Sequence, residues 1–449
     1  MPDPVPSLVV VGTVLQTPTP TALQVLRDVA VVVGDDGVIT AVQPVGSIEA
    51  AAATAAARRV ERLATGERLL PGLIDTHLHA PQWPQLGTGL DLPLEQWLFE
   101  STFPLEARYA DGAFAQRVWE DMVPCLLGHG TTTAVYHASI HEEATRQLAA
   151  TCVAHGQRAF VGRVAMDHSD GTPTWYRDAD AAASLAASAR SIEAIDGLGS
   201  ALVRPILTPR FVPACTDELL AGMGELAART GTIVQTHCSE SDWEHGHVLD
   251  RYGGTDTEAL HRFGLLRDRT VLAHGNHIGD ADMALISAAG AGVAHCPLSN
   301  SYFANAVFPV RRALTRGVKV GLGTDVAGGC HPGLLPQCVS AVTSSRMAHD
   351  GVDPARSASE RGVADSAIDT VTAFHLATVG GADLLGIPCG LLAPGRAFDA
   401  FVVDLHRRSG ALRVWDEIDD DARTFEKIVR LAGPGDITSV WVAGRRVRG

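Results

Sequence analysis

The chain has 449 residues, a net charge of −15 and 46% hydrophobic residues. That length fits one large barrel of about 250 residues or more plus a smaller unit, and the hydrophobic share describes a globular protein with a large core. The acidic balance, with no basic stripe, argues against nucleic acid and acidic membranes, which are held by clustered Lys and Arg.

No run approaches the roughly 20 apolar residues of a membrane span. The opening Met1-Pro-Asp-Pro4 lacks the cationic and apolar segments of a secretory signal. Eight scattered cysteines without framework spacing suggest reduced thiols and a cytoplasmic setting. The Cys-x-x-Cys and His-x-Glu pairing of the cytidine-type zinc deaminases is absent, so any such chemistry here belongs to another scaffold.

Residues 8–14 and 29–33 are β-rich, and Gly34-Asp-Asp-Gly37 has hairpin chemistry. The Ala-rich run 48–59 reads as a surface helix or a linker. This opening, residues 1–66, is too small to bury a core alone. Strand-like runs with Gly turns at 390–404 and 439–447 supply a partner. Residues 1–66 and 389–449 are therefore expected to form a small β-sandwich domain built from both chain ends.

Between them, residues 67–388 repeat one rhythm. Runs rich in Val, Ile and Thr at 73–79, 131–137, 159–166, 202–208, 232–238, 270–274, 292–296 and 318–325 alternate with helix-compatible stretches such as 217–229 and 280–289. Strands alternating with helices imply a parallel sheet, and eight such units predict an α/β fold closed as a (β/α)8 TIM-like barrel.

Catalytic residues of such barrels come from the C-terminal ends of the strands. His77 and His79 alternate with Leu78, so both imidazoles emerge on one face where the first strand ends. One such His is usually an ordinary polar residue at a strand end, but two buried without partners are costly, which favours a metal. His237 falls near the end of the fifth run, His274 ends the sixth and Asp325 the eighth. Three His and a carboxylate leave room for water on zinc, whose pKa the ion lowers towards about 7. His274 is a further ligand or a neighbour that steadies the water.

Glu240, three residues after His237, is a candidate acid, and Asp325 can relay a proton to a leaving amine. Arg210 and Phe211 suit a planar, carbonyl-bearing heterocycle, one supplying donors and the other a stacking face. Gln82 offers a donor and an acceptor, and Trp83 a pocket wall. The remaining His residues, among them His137 and His295, are read as ordinary core or surface residues. The two lysines, Lys319 and Lys427, are both misplaced for bridging a metal pair, which predicts a single metal.

The segments PGLIDTHLHAPQ, LGTGLDLPLEQWL, TFPLEARYAD, GTTTAVYHASIH, VRPILTPRFVPAC, QTHCSE, LAHG, AHCPLSN and VGLGTDVAGG together resemble the amidohydrolase superfamily and, within it, the guanine deaminase family. The resemblance implies a cytosolic homodimer that hydrolyses guanine to xanthine and ammonia with one zinc ion per subunit. It places metal ligands at His77, His79, His237 and Asp325, with His274 also in the metal site. Substrate contacts fall at Gln82, Arg210, Phe211, His237, Glu240 and Asp325. Cys330-His-Pro-Gly, where a small Ser-containing run is usual, and Trp83 depart from the pattern, which leaves a related aminopurine or pterin as an alternative substrate. A cyclic-amide hydrolase and an inactive binding protein are the competing readings.

Overall fold

Val and Ile runs pair edge to edge in two separate places in the computed structural model, which describes residues 6–449. Residues 1–5, which open the expected 1–66 unit and carry the segment read for a secretory signal, lie outside the described residues.

In the central part, Leu73–His79, Thr131–His137, Arg158–Gly162 and Val203–Pro205 form one parallel sheet in chain order. Gln235–Cys238, Val271–His274, Gly292–His295 and Lys319–Leu322 form another. The two sheets meet at both edges. On one side Gln235 N–H donates to Leu207 O at 2.9 Å. On the other, Thr76 Oγ1 donates to Leu322 O at 2.8 Å and Asp325 N–H to His77 O at 2.9 Å. Every residue of Leu73–His79 and Thr131–His137 is buried, as parallel strands covered on both faces require.

Several boundaries differ from the sequence reading, each for a local reason. The expected third and fourth strands break: Val164–Ala165 pairs with Thr208–Pro209 as a separate two-stranded piece, and Pro205 supplies no N–H to continue the ladder. The eighth ends at Leu322, so Asp325 sits in the turn beyond it at φ 48° rather than on the strand. The intervening helices have explicit ends. In Asp217–Thr230, Thr216 caps the first turn by accepting Leu219 N–H, and Gly231 at φ 70° closes the last.

The two chain ends share one eight-stranded sheet, in which Leu8–Thr19 pairs with Ala22–Val33 and Glu67–Pro71, and Glu67–Pro71 with Ala400–Asp404. Alternation sorts its side chains: Val10, Val31 and Val33 join Phe398 and Trp441 in one cluster, while Val9, Ala30 and Val32 face Ala50 of the helix Ile48–Ala56. The run 48–59 thus contains a helix, capped by Ser47. The sheet extends past residue 66 through Glu67–Pro71. Arg158 joins the two parts, donating from Nε and Nη2 to Asp399 at 3.0 and 3.2 Å. Among the described residues no helix is long and apolar enough to cross a membrane.

Candidate active site

The strand Leu73–His79 places Asp75, His77 and His79 on one face. Asp75 staples this strand to the turn that carries Asp325: its Oδ1 accepts Thr324 N–H at 3.0 Å and its Oδ2 the Thr324 hydroxyl at 2.5 Å. His77 Nε2 lies 3.1 Å and His79 Nε2 3.5 Å from Asp325 Oδ1. His237, from the strand Gln235–Cys238, brings its Nε2 to 2.9 Å from His79 Nε2 and directs Nδ1 at Arg210 O, 2.6 Å away. His274 ends the next strand, its Nε2 3.9 Å from Asp325 Oδ2 and 3.6 Å from Glu240 Oε1.

These side chains are buried, and burial lowers the pKa of His77, His79 and His237, favouring neutral rings with one nitrogen left as a lone pair. At Asp325, burial is outweighed by His77 and His274, which hold the carboxyl at about 2. Both nitrogens of His77, Nδ1 of His79 and Nε2 of His274 have no hydrogen-bond partner among the described residues. Neutral imidazoles beside an ionised carboxylate, with inward nitrogens unsatisfied, are the donor set that a divalent cation such as zinc takes. His274 and Asp325 also hold left-handed φ values of 74° and 48°, strain that non-glycine residues keep mainly where function requires it.

Beside this cluster lies a cleft lined by His79, Gln82, Arg210, Phe211, His237, Glu240 and Asp325, with Leu94, Trp97, Leu98, Phe303 and Gly328 completing its walls. Burial pushes Glu240 up to about 7 against the pull of His274 and Arg210, while Asp325 adds to the rise. A carboxylic acid that keeps its proton near neutrality suits acid catalysis. Neither lysine reaches the cluster: Lys319 Nζ donates to Gly290 O, and Lys427 pairs with Asp419.

Trp83 requires correction. It follows Gln82 in the 3-10 turn Ala80–Gln85, which sends Gln82 inward and the indole away, to donate to Asp121 Oδ2 at 2.7 Å. The aromatic wall comes instead from Trp97 and Phe303. Cys330 also stands outside the lining, 3.7 Å from the Tyr302 hydroxyl, and of the run after Asp325 it is Gly328 that faces the cleft.

The sequence reading took His137 as an ordinary residue and passed over three others. His137 is fully buried with both nitrogens unpartnered, its ring 4.7 Å from those of His77 and His79. Glu106 anchors Arg210 and Gln82, and Asn276 and Asn300 link Glu240 to His274. Glu106 lies in TFPLEARYAD and Asn300 in AHCPLSN, segments whose resemblance was noted without assigning either residue a task. His295, though buried, packs against Phe308 rather than lining the cleft.

The amidohydrolase family profile matches residues 68–447. The chain belongs to the amidohydrolase family. Within that family it is 36% identical over 385 residues to a guanine deaminase of Dictyostelium discoideum, covering 85% of this chain and 82% of that protein. The crystal structure of a guanine deaminase from C. acetobutylicum with guanine bound in its active site superposes with a TM-score of 0.87 at 27% identity, over 98% of this chain and 99% of that one. An adenosine deaminase from Xanthomonas campestris with bound zinc gives 0.82 at 26%, over 99% and 93%.

Proposed function

We propose that this amidohydrolase is a guanine deaminase that uses one zinc ion per subunit to hydrolyse guanine to xanthine and ammonia. One observation carries the reading: Glu240 Oε1 stands 3.6 Å from His274 Nε2 on the same cleft wall system as Asp325, Arg210 and Gln82. Acid, base and heterocycle-reading side chains thus share one small space beside a cation-type donor set. The guanine deaminases of D. discoideum and C. acetobutylicum support the choice of ring.

In this reading His77, His79, His237 and Asp325 hold the metal, with His274 as a further ligand or a support. When bound there, zinc would lower the pKa of a water towards about 7 and stabilise charge at the reacting carbon. Arg210, Phe211 and Gln82 would hold the purine with its C2 towards the His and Asp325 cluster. Glu240, protonated near neutrality, gives its proton to a ring nitrogen as oxygen adds to C2. Asp325 takes the proton that the water releases and, with His274, passes it to the departing amino group, which leaves as ammonia while the proton of the new C2 hydroxyl returns to Glu240.

The same reading takes the parallel strands as a closed (β/α)8 barrel spanning about 67–388, flanked by 1–66 and 389–449 as halves of a β-sandwich. The bonds across both sheet edges support closure. A cytoplasmic homodimer completes the reading; light scattering on the purified protein tests its dimeric state. Incubation of zinc-loaded protein with guanine, following xanthine and ammonia, is the deciding assay. Protein that ignores guanine but deaminates a pterin or 8-oxoguanine replaces the substrate.

A further inference from the structure

Glu106 is fully buried and reaches the cleft only through others. Arg210 Nη1 donates to its Oε2 at 2.7 Å and Nη2 to its Oε1 at 3.1 Å, a two-pronged clamp. Gln82 Nε2 donates to the same Oε1 at 3.0 Å. The guanidinium also lies over the Phe103 ring, 4.9 Å from its centre. Burial alone works against a charge on Arg210, and Glu106 outweighs it, holding the pKa above its ordinary value.

Two consequences for ligand choice follow. A lone buried guanidinium draws in any anion of the right size, because attraction is strong where water is excluded. Paired with Glu106, Arg210 meets the ligand as half of a neutral couple with few donors to spare. The second consequence concerns Gln82. A carboxylate oxygen only accepts, so the Gln82 NH2 must face Glu106, and Ala327 N–H donates to Gln82 Oε1 at 3.1 Å from the other side. Both ends of the amide are thereby fixed, and a ligand finds one N–H and one lone pair in known places.

We propose that Glu106 is a specificity-determining residue that makes this cleft select neutral, amide-bearing heterocycles over anionic ones. The proposal rests on the reading of the cleft as a purine site. It differs from that reading in being tested by binding rather than by turnover.

The test compares two ligands matched in shape, purine-6-carboxamide and purine-6-carboxylate, as competitors of guanine and by calorimetry on the zinc-loaded enzyme. Glu106→Gln removes one negative charge while keeping size, and is expected to move the affinity ratio towards the carboxylate by about tenfold or more. It should also raise KM for guanine more than it lowers kcat, since Gln82 loses its fixed orientation. Glu106→Asp, which keeps the charge, is expected to restore the ratio. If Glu106→Gln does not fold, Arg210→Gln leaves Glu106 unneutralised and should penalise the carboxylate by about tenfold instead. An unchanged ratio in the folded variant overturns the proposal, as does failure of the wild type to bind either ligand. Absence of guanine turnover with a shifted ratio would overturn the substrate and leave Glu106 its task.

Discussion

Asn300 Oδ1 lies 2.9 Å from Nδ1 of His274, whose other nitrogen faces Glu240 and Asp325. An amide oxygen only accepts, so Nδ1 carries a proton and Nε2 turns to the reacting groups. Asn300 Nδ2 donates in turn to Asn276 Oδ1 at 2.7 Å, and Asn276 Nδ2 to Glu240 O at 2.9 Å. Asn300→Leu is expected to mix the His274 tautomers, seen by nitrogen NMR of histidine-labelled protein, and to weaken zinc about 10- to 100-fold. Asn300→Asp keeps the acceptor and should keep the single tautomer. A single Nδ1–H form in Asn300→Leu counts against the relation.

Two substitutions separate metal holding from proton delivery. His237→Ala removes a nitrogen that stands 2.9 Å from His79 Nε2 and is expected to lose zinc and turnover together. Glu240→Gln preserves shape and donor atoms but has no acid proton, so zinc content should stay at the wild-type level while kcat falls about 10²- to 10⁴-fold. Metal analysis beside steady-state rates distinguishes them. Full zinc occupancy in His237→Ala removes that residue from the ligand set.

The sequence makes one part of this site legible and conceals another. His77 and His79 stand out because a period of two in an apolar strand exposes them as a pair, and His237 and His274 because each sits at the end of a short β-rich run. Glu106 has no such mark: it lies 24 residues from Gln82 and 104 from Arg210, and only folding brings the three together. Trp83 misleads because its place next to Gln82 does not fix its direction: in the turn Ala80–Gln85 the indole points away, to Asp121. The parallel rhythm is legible for the same reason as the paired His, whereas the end of the last strand at Leu322 depends on which neighbours accept each hydrogen bond.

Gly328 should tolerate no side chain. A Cβ there meets Asp325 Oδ2 and Ser299 Oγ, each at 2.8 Å, inside the cleft wall. Gly328→Ala must therefore displace the Asp325 carboxylate or its neighbour, and displacements of about 1 Å cost on the order of 10²-fold in rate. The expected result is a kcat reduced by about that factor with the melting temperature little changed. Wild-type kinetics in this variant would show that Asp325 is free to move without consequence.

Glu244 gives the protein a pH-dependent stability of definite sign. Burial, then Asp256, then Glu240 raise its carboxyl well above the ordinary 4.5, and its Oε2 accepts Glu240 N–H at 2.8 Å. A folded-state pKa above the unfolded one means that the folded protein holds the proton more tightly. The stability from this group is complete below the unfolded value and is lost as pH rises through the folded one. His245, raised by its hydrogen bond to Asp256, slopes the same way, so the measurement must be a difference. Glu244→Gln keeps a carbonyl acceptor for Glu240 N–H and never ionises. Denaturant melts from about pH 5 to about pH 9 should show the wild type losing stability relative to this variant, by no more than about 1.4 kcal/mol per pH unit for one proton. A difference independent of pH would mean that Glu244 has the same proton affinity in both states.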